Sequence, residues 1–371
     1  MGERESAVAG MAMTASAKPS ADFWFGKRVL VTGHTGFKGG WLCMWLSGMG
    51  AKVTGLSLDP SGDPSLYGVA GVNRFLEADL RCDIRDAAKL REAVLSAAPE
   101  IVLHLAAQPL VRLSYADPLA TYATNVMGTA HLLEAVRHAS SVKAVVNVTT
   151  DKCYENREWV WAYREDEAMG GHDPYSSSKG CSELVTAAYR RSFLAAAGVG
   201  VASARAGNVI GGGDWSADRL VPDFLRAIDR NEKLVIRSPE ATRPWQHVLE
   251  PLSGYLLIAE ALWRDGVGFA EGWNFGPDED DAKPVRWIVE TLQALLPRIR
   301  WEIFDGERPH EANMLALSSS KARARLNWRP RWRLRRALEE TVRWHESWAR
   351  GEDMADLCRE QIRGYLDTPV S

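Results

Sequence analysis

From Lys27 the chain runs Lys-Arg-Val-Leu-Val-Thr-Gly, a short apolar stretch halted at a glycine, and Phe37 to Met49 then carries apolar residues at the spacing of one helix face. The pattern predicts strand, turn, helix. Ala51 to Leu58 reads as a second strand, Arg74 to Glu77 as a third, Asp86 to Ala98 as a helix and Ile101 to Leu105 as a buried fourth strand. The alternation continues with a helix over 118–138, a strand over 145–148, a long helix from Pro174 to about Ala197 and a strand near Val201 to Ala204. This order predicts an α/β fold, a Rossmann-type doubly wound parallel sheet with helices on both faces. Beyond Arg205 the rhythm loosens. Gly211-Gly212-Gly213 marks a loop, Leu220 to Arg230 a helix, Pro239 to Pro244 a break, His247 to Trp263 a helix, and Trp273 to Phe275 a strand by which the chain returns to the sheet.

At 371 residues the chain exceeds an ordinary single core, so an appended lobe or a second domain is expected. Apolar residues at 46% and charged residues at 25% fit a soluble globular protein, and a net charge of −3 supplies no global attraction to nucleic acid or anionic membrane. No apolar run approaches the roughly 20 residues that span a bilayer. The segment through Ala21 is rich in Ala, Ser, Met and Gly, with Glu3 and Glu5 where a signal peptide would be positive, and reads as a flexible tail on a cytoplasmic protein. Five cysteines lie far apart without CxxC, and eight histidines lack ligand spacing, so reduced thiols and no metal are expected.

Between the first strand and first helix lies Gly33-His34-Thr35-Gly36-Phe37-Lys38-Gly39, a GxxGxxG loop that suits a dinucleotide pyrophosphate seated on the helix N-terminus. Asp59, past the second strand, can accept hydrogen bonds from the adenosine ribose and would repel a 2′-phosphate, favouring NAD over NADP; its competing role is a turn residue in Asp59-Pro60-Ser61-Gly62. Asp83 is placed either to reach the adenine amino group or to cap the next helix. Tyr175 and Lys179, four residues apart, share one helix face, where an ammonium beside a buried phenol would favour the phenolate and make a general base; a plain surface pair has the same spacing. Thr149-Thr150-Asp151-Lys152 follows the fifth strand, at the end where such sheets bind ligands.

With GxxGxxG early and Tyr-x-x-x-Lys later, the sequence resembles the extended short-chain dehydrogenase/reductases, and within them the dehydratases that act on CDP-glucose. The resemblance runs from about Gly26 to Trp344. It rests on the glycine loop, on 104–112 (HLAAQPLVR), 151–156 (DKCYEN), 205–215 (RAGNVIGGGDW) and 243–247 (RPWQH). The pattern places a tail over 1–24, a first domain over 25–205 with a return near 247–276, and a lobe over most of 206–371; the resemblance gives the first domain to NAD and the lobe to a nucleotide sugar. It further implies cofactor contacts from Gly33, Thr35, Gly36, Phe37, Lys38, Gly39, Asp59, Asp83, Ile84, Leu105, Ala106, Ala107, Tyr175 and Lys179. Substrate contacts are implied for Gln108, Asn208, Arg219, Arg243, Arg308 and His310.

The implied reaction is C4 oxidation with Tyr175 as base, helped by Thr150 and Lys179, then loss of the 6-hydroxyl with Asp151 as acid, and hydride return to C6. Lys152 stands where relatives acting on other nucleotide sugars resemble Thr-Asp-Glu. It is a C5 base with a depressed pKa, an enolate stabiliser or a partner of Asp151. Related enzymes dimerise through helices like 118–138 and 174–197, so a homodimer or homotetramer is expected. A 4-epimerase of the same superfamily shares Tyr and Lys but needs no acid at C6. A non-catalytic NAD- or RNA-binding protein would instead use the run Lys321 to Arg336, eight cations with Trp328 and Trp332. The competing picture there is a solvated face whose tryptophans pack inward, with neither nucleic acid nor membrane as a partner.

Overall fold

The computed structural model describes residues 17–304 and 314–369. At its centre are seven parallel strands, β1 (Arg28–Thr32), β2 (Lys52–Ser57), β3 (Ala78–Arg81), β4 (Ile101–His104), β5 (Ala144–Val148), β6 (Gly200–Ala206) and β7 (Gly272–Phe275). Their order is β7-β6-β5-β4-β1-β2-β3. β4, β5 and β6 are buried at every residue, as expected of apolar strands covered on both faces. Leu30, Val102, Val145 and Val201 of the sheet pack against Leu90, Val94, Leu132, Leu133 and Val136 on one side. On the other, Val29, Val31 and Val146 meet Trp41, Trp45, Leu252 and Tyr255, carried by the helices Phe37–Gly48 and Leu249–Arg264. A separate core of Val221, Phe224, Ile288, Leu292, Leu338 and Val342 holds the lobe. The strand order reverses between β1 and β4, and the crevice at that switch point is where such sheets bind ligands.

Several elements depart from the sequence pattern. The third strand lies at 78–81 rather than 74–77, because Gly71 at a φ of +57° starts a 3₁₀ turn, Val72–Phe75, that takes up the first half of the expected strand. The helix expected over 118–138 is three pieces, Pro118–Tyr122, a π turn Ala123–Met127 and Gly128–Arg137, preceded by a helix Val111–Ala116 that the pattern missed. The tail expected through residue 24 is anchored from Ala17 onward. Ser20 caps a helical turn Ala21–Trp24, and the Ser20 amide and Trp24 indole donate to Glu260 at 2.7 and 2.9 Å.

At the far end of the chain, Trp328 and Trp332 are buried. Around them Lys321 and Arg325 pair with Glu271, Arg323 with Asp278, Arg333 with Asp278 and Asp281, and Arg336 with Glu340. The basic run is thus an acid-paired surface over inward-packed indoles. Glu250, at the head of the helix 249–264, accepts from the amides of Arg331 (3.0 Å) and Trp332 (2.7 Å) and from the Tyr365 hydroxyl (2.8 Å), joining the C-terminal segments to the sheet layer. The five cysteines are free thiols. Among the described residues no helix is long and apolar enough to cross a membrane, and no cluster of three His, Cys, Asp or Glu side chains could hold a metal ion.

Candidate active site

β1 ends at Thr32, and the chain turns through Gly33 to Gly36 into the helix Phe37–Gly48. Gly33 has a φ of +77°, and a Cβ there would stand 2.8 Å from the Ala106 amide. A Cβ on Gly39 would run into the carbonyl of residue 33, so the helix approaches the strand end this closely only because Gly39 is glycine. Gly36 gives the helix no side-chain cap, which leaves first-turn N–H groups for an anion. The Thr35 hydroxyl donates to the Leu58 carbonyl at 3.0 Å. The Leu105 and Ala106 amides donate to the Thr32 hydroxyl (3.2 and 3.1 Å), which lies 2.6 Å from His104 Nδ1 and holds the Leu105–Ala107 segment beside Gly33. Burial, aided by the charge of Lys179, takes His104 down to about 3, so the ring is neutral. This cradle fits the pyrophosphate of a dinucleotide.

Asp59 stands exposed past β2 and accepts from Arg81 Nε at 2.7 Å; Asp79 and Tyr67 hold the rest of that guanidinium. Asp83 does not cap the next helix. Asp86 does, accepting from the Lys89 amide at 3.1 Å, while Asp83 is engaged by the backbone and side chain of Arg85. Ile84, expected against the cofactor, buries its side chain in the core with Leu30 and Leu56, and its carbonyl is 3.1 Å from His131 Nδ1.

The helix Pro174–Tyr189 starts at Asp173, whose carboxylate accepts from the Ser176 amide (2.9 Å) and hydroxyl (2.6 Å), with Pro174 at its first position. Tyr175 and Lys179 are buried on its inner face together with Thr150 and Asp151 from the end of β5. Lys179 Nζ donates to the Val148 carbonyl at 3.4 Å, the Thr150 hydroxyl donates to Asp151 Oδ1 at 3.0 Å and touches the Tyr175 phenol, and Lys152 Nζ lies 6.0 Å from the Tyr175 ring centre. Arg219, gripped by Asp214 at 2.8 Å, acts on the same phenol.

Burial pushes Tyr175 up to about 12, against the Thr150 hydrogen bond and the Arg219 charge. The Lys179 ammonium places its hydrogen bond on the Val148 carbonyl. Burial lowers Lys179 to about 8, opposed by Glu183, and lowers Lys38 to about 7, reinforced by Arg219 and Lys179. Burial raises the Asp151 carboxyl, opposed by Lys152, Thr150, Arg243 and Lys38. Five cations (Lys38, Lys152, Lys179, Arg219, Arg243) act on this centre, against the carboxylates Asp151, Asp173, Glu183 and Asp214. The guanidinium groups among them suit a diphosphate.

Gln108, expected on the substrate, is engaged by its own loop. Its amide donates to the Leu110 carbonyl (3.1 Å) and Thr121 hydroxyl (2.9 Å), and its oxygen accepts from the Leu110 amide (2.5 Å). The π turn aims Asn125 at this loop and at Ser178 (2.8 Å), tying the segment after β4 to the helix 174–189. Asn208 accepts from the Gln246 amide through its carbonyl at 3.0 Å. Arg308 and His310 lie outside the described residues. The pattern missed Asn125, Asp214, Glu183 and Arg81. Glu183 was within reach of it, since it repeats the four-residue step from Tyr175 and Lys179.

The sequence profile of GDP-mannose 4,6 dehydratase matches residues 30–341. The chain belongs to this dehydratase family. A relative of this GDP-mannose 4,6 dehydratase family, the CDP-glucose 4,6-dehydratase of Salmonella typhimurium, is 55% identical over 351 residues, 93% of this chain and 98% of its own length. Among solved structures, a dTDP-glucose 4,6-dehydratase from Streptomyces venezuelae with NAD and TYD bound matches at a TM-score of 0.73 and 26% identity, covering 86% of this chain and 97% of that one. A UDP-glucose 4-epimerase from Thermotoga maritima matches at 0.76 and 24% identity, over 86% and 99%, and attests to the shared fold. The Rossmann-type sheet and the dehydratase resemblance read from the motifs are both borne out.

Proposed function

We propose that this chain converts CDP-glucose to CDP-4-dehydro-6-deoxy-glucose and water, with NAD as its cofactor. The observation that carries dehydration over 4-epimerisation is Asp151, a buried carboxyl raised above its ordinary value beside Thr150 and Tyr175, since epimerisation has no use for an acid at C6. The similarity to the Salmonella enzyme supports CDP-glucose as substrate. When bound, NAD⁺ takes hydride from C4 and gives it back at C6. Tyr175 acts as its phenolate, favoured by the positive charge of Lys179, and receives the 4-hydroxyl proton while Thr150 orients that oxygen. Asp151 protonates the departing 6-hydroxyl. Lys152, beside Asp151, enters as the free amine, takes the C5 proton as the 6-hydroxyl departs, and as the ammonium so formed stabilises the enolate. Arg219 and Arg243 hold the diphosphate.

The assembly is a homodimer or larger. Its contact face is the helical layer over 111–137 and 174–194, where Leu119, Met127, Leu184 and Phe193 remain exposed. The test of the reaction is incubation with NAD and a panel of nucleotide sugars. A 4-keto product, seen by absorbance in alkali, is expected from CDP-glucose above all others, and its absence refutes the reading.

A further inference from the structure

We propose that the buried pair Glu183–Arg205 is a positioning unit for the reaction, gripping from both ends the segment that carries Thr150, Asp151 and Lys152. This rests on the reading of those residues as the catalytic centre. The Glu183 carboxylate accepts from the Thr149 hydroxyl at 2.5 Å, the residue immediately before the turn. It also accepts from the Ser203 hydroxyl at 2.5 Å and from Arg205 Nε and Nη2 at 2.8 and 2.9 Å. The remaining arm of Arg205, Nη1, donates to the Tyr154 hydroxyl at 2.6 Å and to the Glu165 carbonyl at 3.1 Å. Tyr154 is the residue immediately after the 3₁₀ turn Asp151–Cys153, and its hydroxyl donates in turn to Asn274 of β7 at 2.7 Å. One ion pair therefore touches the chain at Thr149 and Tyr154, which flank the segment 150–153 that carries the three residues the chemistry requires in register.

Stability alone is a poor reason for such a pair. A fully buried ion pair forfeits so much hydration that apolar side chains of equal volume often serve as well or better. Its placement is what distinguishes it. Glu183 continues the face of Tyr175 and Lys179 at the next four-residue step, so the same helix presents the base, the ammonium and the anchor. Against burial, which pushes it up, Arg205 and the two hydroxyls hold Glu183 below its ordinary carboxyl value, and the resulting negative charge opposes the depression of Lys179, which also faces Cys153, Lys38 and His104 from other elements.

The experiment compares the pH dependence of CDP-glucose turnover and the thermal melting of Glu183→Gln, Glu183→Asp and Ser203→Ala with those of the parent chain. Glu183→Gln is expected to lower kcat about tenfold to a hundredfold, the scale of a misplaced catalytic group, with KM for CDP-glucose little changed. Its alkaline limb should also move about one pH unit lower, because Lys179 loses its proton sooner without the neighbouring carboxylate. Ser203→Ala removes a hydrogen bond to the same carboxylate but keeps its charge. It should lower the melting temperature and leave the limb in place. A lower melting temperature in Glu183→Gln with kcat and the limb unmoved overturns the proposal, as does an equal limb shift in Ser203→Ala. If Glu183→Gln does not fold, Glu183→Asp decides, since its charge persists but its reach is one methylene short: about a tenfold loss of kcat at constant KM supports the positioning role, and full kcat overturns it. Failure of the parent chain itself to turn over CDP-glucose would instead refute the dehydratase reading beneath the proposal.

Discussion

Tyr175 sits on the first turn of its helix with the phenol against Thr150, and the proposed base function depends on one oxygen atom. Tyr175→Phe removes that oxygen and little else, so turnover is expected to fall at least about a hundredfold, the contribution of a positioned base, while NAD binding measured by fluorescence titration persists. Unchanged turnover would reduce the Tyr175–Lys179 pair to packing. Asp151 offers a sharper separation, because asparagine keeps the size and most of the hydrogen bonding yet gives up no proton. C4 oxidation should survive in Asp151→Asn and the elimination should not. Adding CDP-glucose should then leave absorbance in the reduced-nicotinamide band on the enzyme with little 6-deoxy product, whereas equal loss of both would make Asp151 a structural cap.

At the scale of elements, Glu250 predicts a pH signature of the fold. Burial raises its carboxyl from 4.5 to about 7, against the hydrogen bonds from Trp332, Tyr365 and Arg331. The folded state thus binds this proton more tightly than the unfolded chain, and stability contributed here falls as pH rises through that window. Melting temperature is expected to decline from about pH 5 to about pH 7, and Glu250→Gln should flatten that slope; an unchanged slope refutes the assignment. The strands that are buried throughout were legible in the sequence because covering both faces demands continuous apolar runs such as Ile101–Leu103. β3 was not, since Ala-Asp-Leu-Arg is half-exposed at the sheet edge and carries little apolar signal. The π turn at 123–127 has no marker in the sequence, and it is what brings Asn125 onto the loop after β4. In the site, the glycine loop and Tyr175–Lys179 were readable from spacing. Arg81 and Arg205 were not, because the partners that define them, Asp59 and Glu183, lie 22 residues away in sequence.

For the whole molecule, the exposed Leu119, Met127, Leu184 and Phe193 predict self-association through the helical layer. Light scattering at micromolar concentration should give at least twice the chain mass, and Leu119→Arg with Leu184→Arg should reduce it to the monomer. A monomeric parent chain would refute the dimer. The return of the chain to its own sheet has a different consequence, one for the order in which the protein is made. β7 can pair with β6 only after the intervening residues have been made, and the helix 249–264 covers the part of one sheet face over β5 and β6 that the helix 37–48 does not. A nascent chain leaving the ribosome therefore carries an open sheet edge and an uncovered apolar face until about seventy further residues have emerged. A message truncated before residue 249 would yield a species primed for aggregation or chaperone capture rather than a small working domain.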